Sequence, residues 1–129
     1  MSDDPAPLAV PVAVRRGVRL FNLGRFMSAH QVWEASWKEA SVADRAFLEG
    51  LVQLATGMHL RTRRGGTRGA VHLLSQAMVS LDDYRAGAHG VDVERLLEEF
   101  TAFINWLKEI DRPHRLMDRL QIPRIRAAR

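Results

Sequence analysis

Between Asp44 and Arg63 the apolar side chains recur at helical spacing. Phe47, Leu51, Leu54 and Met58 form one stripe, and Leu48, Val52, Ala55 and His59 form the row beside it. A half-buried strand would alternate with a period of two, and that pattern is absent here and in the rest of the chain. This segment is the most apolar and is expected to be the central helix. Gly50 and Gly57, seven apart, lie along one edge of it. Each costs up to ~1 kcal/mol in helix propensity, so close approach of another helix is the expected compensation.

Four further segments carry the same periodicity. The first runs from about Val12 to Leu23, with Val14, Val18 and Phe21 on one face and Gly24 as the stop. The second, about Arg25 to Glu39, places Phe26, His30, Trp33 and Trp37 on one stripe. A fourth follows the break at Arg64-Gly-Gly-Thr67, with Thr67 as its expected cap and Ala70, Leu74, Ala77, Met78 and Leu81 inward. A fifth is capped by Asp92 and reads Leu96, Phe100, Phe103 and Leu107 on its inner face. Pro113 ends it. Short connections favour antiparallel neighbours, so the expected fold is all-α: a compact up-and-down bundle of about five helices. Three prolines in the first eleven residues mark 1–10 as a flexible leader; 11–112 is then the bundle and 113–129 a basic tail.

At 129 residues the chain holds one domain. It has no cysteine, which removes disulfide frameworks, thiolate zinc sites and cysteine nucleophiles and fits a reducing cytoplasm. The acidic start lacks the pattern of a secretory signal, and no membrane anchor is visible. Net charge is +4, but 112–129 contain six arginines against one aspartate. The tail is basic and the body near neutral. Arginine outnumbers lysine seventeen to two, a bias that a GC-rich genome explains without selection for phosphate.

The most informative stretch is Phe21-Asn-Leu-Gly-Arg-Phe-Met-Ser-Ala-His30-Gln-Val-Trp-Glu34-Ala-Ser-Trp37, followed by Phe47-Leu-Glu-Gly-Leu-Val-Gln53 and the Gly69-Ala70 pair. It resembles the domain of unknown function 309 family over roughly Phe21 to Leu81. The matching positions are Asn22, Gly24, Ala29, His30, Glu34 and Trp37, then Leu48, Gly50, Leu51, Val52 and Gln53. Gln31 departs from the family's usual glutamate, and Gly66 from its frequent asparagine. The resemblance implies a small all-helical prokaryotic protein and brings no activity with it.

His30 and Glu34 are one helical turn apart and can reach a common point. Imidazole and carboxylate at that spacing can orient a general base or hold a divalent metal with a third ligand. Antiparallel pairing of the second and third helices sets His30 level with about Gln53, and His59 some 9 Å too far along the axis at about 1.5 Å per residue. The candidate ligand-binding set is therefore His30, Glu34, Gln53, Trp37 and Asn22. The structural alternative is a core histidine bonded to Glu34 or Gln53. For Trp33 and Trp37, core packing is the default.

Arg61-Thr-Arg-Arg-Gly-Gly-Thr-Arg68 holds four arginines and no acid just before a helix N-terminus. Arg61, Arg64 and Arg68 are a candidate anion site, against the plainer role of neutralising the third helix's C-terminal dipole. No nucleotide-binding phosphate loop, nucleophile elbow, zinc-peptidase helix, dinucleotide fingerprint or deaminase motif occurs. No cofactor is expected.

Three functional readings remain open. The leading one is a cytoplasmic module binding a small molecule or a protein partner through a polar pocket at His30, Glu34 and Gln53, with homodimerisation through exposed helix faces open to it. The second is an enzyme using His30 and Glu34 on a small polar substrate, as general base or metal ligands. The last is weak nucleic-acid binding through Arg112, Arg115, Arg119, Arg124, Arg126 and Arg129, for which no recognition module accompanies the charge.

Overall fold

The computed structural model describes residues 6–64, 66–110 and 122–128, with the side chain of Arg64 excepted. Five α-helices occur among them: α1 (Val10–Asn22), α2 (Phe26–Trp37), α3 (Val42–Arg64), α4 (Arg68–Leu81) and α5 (Val93–Glu109). A single 3-10 turn, Asp82–Tyr84, extends the end of α4. Each helix packs on the next in chain order, and α3 also touches α1. This is the expected all-α up-and-down bundle, with α3 in its middle.

Most positions of the stripes read from the sequence are buried, while Val18, His30, Trp37, Val52, His59 and Met78 are half-buried at their edges. Phe47, Leu48, Leu51, Leu54, Ala55 and Met58 of α3 are fully buried, each large apolar side chain contributing about 1.5–3 kcal/mol by leaving water. Gly50 and Gly57 face α4 at close range. A β-carbon at Gly50 would stand 2.7 Å from the Leu81 side chain, and one at Gly57 2.9 Å from that of Leu74. The propensity lost at these glycines is exchanged for helix contact. Phe21 gathers the other side of the core, its ring 4.9 Å from Phe26 and 5.9 Å from Phe100 in edge-on arrangements.

The helix ends follow local chemistry. Gly24, at φ +81°, turns the chain so that the Arg25 N–H closes back on Leu20 O at 2.9 Å. Ser41 caps α3, its hydroxyl accepting from the Asp44 N–H at 3.3 Å, and Asp92 caps α5 by accepting from the Arg95 N–H at 3.1 Å. Thr67 departs from expectation. It precedes α4 but makes no side-chain cap, because its hydroxyl accepts instead from Nη1 of the buried Arg61 at 3.1 Å. A buried guanidinium must find acceptors, and that need outweighs a cap in partial contact with water.

Both flanking segments contact the bundle. Leu8 exchanges two bonds with the buried hydroxyl of Ser36: its N–H donates at 3.2 Å, and its carbonyl accepts at 2.9 Å. Near the C-terminus, Ile125 is buried, and its backbone N–H and carbonyl are both bonded by the Asn22 side chain at 2.9 Å. The next residues run beside the loop before α5. The Asp92 N–H donates to Arg126 O and the Ala128 N–H to Gly90 O. This pairing and a second one between Ala88 and Val91 are isolated bridges; no β-strand occurs among the described residues. That loop is held to α3 by His89, whose Nε2 lies 2.8 Å from Asp44 Oδ1. Among the described residues no helix is long and apolar enough to cross a membrane.

Candidate functional site

On α2 the buried side is Phe26, Ala29, Val32, Trp33 and Ser36. His30 and Glu34 lie at the edge of that stripe, not within it. Their side chains retain 22% and 44% of their exposure, and His30 Nε2 meets Glu34 Oε2 at 3.0 Å. With Met27, Gln31 and Ala35 of α2, Lys38 at its C-cap and Pro7 of the N-terminal segment, they line a hollow of about 390 Å³. Pro7 is held there by its neighbour Leu8, through the two bonds to Ser36. One helix face and a pinned N-terminal segment therefore make the site.

The ring orientation constrains its chemistry. Nε2 points at the carboxylate, so in the neutral imidazole it carries the proton and donates it. The remaining lone pair is on Nδ1, which is buried and has no hydrogen-bond partner among the described residues. A general base must present its lone pair to a substrate proton. Here the lone pair faces the interior, while the carboxylate faces the hollow. Glu39 adds a second carboxylate at the rim against the one ammonium of Lys38. Among the described residues no group of three histidine, aspartate or glutamate side chains is placed to hold a metal ion, so His30 and Glu34 gain no third ligand from them.

The other candidate residues lie elsewhere. Gln53 faces α4, accepting from the Ser80 hydroxyl at 2.9 Å and donating to Gln76 at 3.4 Å. It does not join the His30 hollow. Trp37 is half-buried against the core, with the Arg45 guanidinium 5.7 Å from its ring centroid; it too is outside the hollow's wall. Asn22 is engaged with Ile125. Of the three arginines of the candidate anion site, two have described side chains. Arg61 is 1% exposed and bonded to Thr67, Arg68 is exposed, and the side chain of Arg64 lies outside the described set. Of the tail arginines, 112, 115, 119 and 129 are outside the described residues, and Arg126 pairs with Glu99 at 3.1 Å.

Besides His30 and Glu34, the lining takes in Pro7, Met27, Gln31, Ala35, Lys38 and Glu39, none of which was among the candidate site residues. Lys38 was accessible to sequence reasoning, lying one turn beyond Glu34 on the same face. Pro7 was not, because its place depends on a bond between Leu8 and Ser36, 28 residues apart.

The segment that carries the helical side of this hollow matches a known family. The family model of a domain of unknown function, DUF309, matches residues 14–73. Residues 14–73 belong to the DUF309 family. The DUF309 segment takes in most of α1, all of α2 and α3, and the first turns of α4, so it contains His30, Glu34 and Gln53. Pro7, α5 and the C-terminal segment lie outside it. No curated protein matches the chain.

Proposed function

We propose that this DUF309 protein is a binding module whose site is the His30–Glu34 hollow, and that the group it recognises is a small organic cation or amine. The observation that supports this is the 3.0 Å contact from His30 Nε2 to Glu34 Oε2, made by a carboxylate that stays half exposed on the hollow. His30 holds one oxygen and leaves the other as an oriented acceptor. Such an acceptor suits an N–H donor, and a charged donor bonds about twice as strongly as a neutral one. Met27, Ala35 and Pro7 supply apolar walls for the rest of the molecule. The buried Nδ1 speaks against the enzymatic reading, in which His30 would take a proton from a substrate.

Butylammonium and butyrate added separately to the ¹⁵N-labelled protein test this reading. Butylammonium should shift the amides of Met27, His30, Gln31 and Ala35 saturably, and Glu34→Gln should abolish the effect. Equal shifts with butyrate, or shifts unchanged in Glu34→Gln, would contradict it.

A further inference from the structure

A second, larger hollow of about 860 Å³ opens between the α1–α2 turn, the end of α3 and the segment 122–124. Its charged lining among the described residues is Arg63 from α3 and Arg124 from the C-terminal segment, with no carboxylate. Arg85 is paired with Asp82, and Arg95 and Arg126 with Glu99, whereas other exposed arginines such as Arg15, Arg19 and Arg68 have no ion pair among the described residues; what sets Arg63 and Arg124 apart is that they line one hollow. Arg63 and Arg124 have no ion pair among the described residues, although 61 positions separate them in sequence. Two guanidiniums without an ion pair among the described residues, brought to one concavity from distant segments, raise its potential and offer forked donors to an anion.

The rest of the lining is apolar or already satisfied. Asn22 spends its amide on Ile125, and the Thr62 hydroxyl donates to Met58 O at 2.8 Å. Leu23, 65% exposed, stands at the rim, with Ile122 and Pro123 beside it. We propose that this hollow binds a small organic phosphate, its anionic group between Arg63 and Arg124 and its apolar part against Leu23 and Pro123. Guanidinium meets phosphate oxygens through paired N–H donors, and the volume lies in the range of small-molecule sites. A concave site with an apolar rim suits an inserted molecule better than the flank of a polymer. The α2 N-terminus nearby has Arg25 at its cap position and no acid in its first turn, which strengthens the positive field without defining the site. The proposal is independent of the His30 hollow, whose charge balance is opposite.

Calorimetric titration of the full chain with phenyl phosphate, inorganic phosphate and phenol tests it. Phenyl phosphate should bind at least tenfold more tightly than inorganic phosphate, and phenol should not bind. Arg63→Gln and Arg124→Gln should each weaken phenyl phosphate at least fivefold with the unfolding midpoint unchanged, while Arg85→Gln has no effect. Equal weakening by Arg85→Gln, or no binding of phenyl phosphate at 10 mM (about 2.7 kcal/mol of binding free energy at most), would overturn the site. A short single-stranded oligonucleotide that binds more tightly than phenyl phosphate, and loses the same factor in both variants, would overturn the small-molecule assignment in favour of a nucleic-acid backbone.

Discussion

The indole Nε1 of Trp33 occupies the space that a β-carbon on Gly17 would need. α1 and α2 approach each other at this point, and Trp33 is fully buried there. Glycine at position 17 is therefore a requirement of packing, although the helix itself would prefer alanine by up to ~1 kcal/mol. Gly17→Ala should destabilise the protein by about 1–2 kcal/mol net, because overpacking a dense core costs roughly 1–3 kcal/mol and the propensity gain offsets up to about 1 kcal/mol of it. Urea unfolding of the variant checks this, and a more stable variant would show that α1 can shift away from Trp33.

Leu51 stands at the centre of α3 with no exposure. Leu51→Ala removes its transfer energy and leaves a cavity, with an expected cost of about 2–5 kcal/mol. An equilibrium denaturation measurement that finds under about 1 kcal/mol would contradict the central position of α3.

Most of the fold was legible because it depends on periodicity. Phe47, Leu51, Leu54 and Met58 are buried as their spacing requires, and Gly50 and Gly57 face a neighbouring helix as their cost suggested. The site was less legible. Antiparallel alignment gives the height of Gln53 along α3 but not the direction in which it points. Gln53 sits between Gly50 and Gly57 on the face covered by α4, so the glycine pair already carried the azimuth that the height argument lacked. Thr67 looks like a cap in the sequence because the buried demand of Arg61 has no local signature. The Asn22–Ile125 pair spans 103 residues, and no short-range pattern announces it.

That pair sets a further expectation. Asn22→Ala removes both bonds to Ile125, each worth about 0.5–1.5 kcal/mol net. Hydrogen exchange should quicken at the Ile125, Ala128 and Asp92 amides, which the C-terminal pairing protects, and much less in the middle of α3. Unchanged exchange at Ile125 would mean that burial of its side chain alone holds the segment.

Glu34→Ala should cost little stability, about 0.5 kcal/mol or less. The His30–Glu34 pair is an i, i+4 contact with the carboxylate 44% exposed, and such pairs contribute roughly 0.2–0.5 kcal/mol. Thermal or urea unfolding decides between the readings. A loss above about 1.5 kcal/mol would make the pair a structural hydrogen bond of the core edge, whereas a small loss fits a group kept for a ligand.

His30 orients the Glu34 carboxylate and presents no base to the hollow. Long-range ¹H–¹⁵N correlation spectra of the His30 imidazole, recorded where the ring is neutral, test it most directly. One tautomer is expected, with the proton on Nε2 and a bare Nδ1 nitrogen. A proton on Nδ1, or rapid averaging between the two tautomers, would contradict it and return the exposed nitrogen to service as a base.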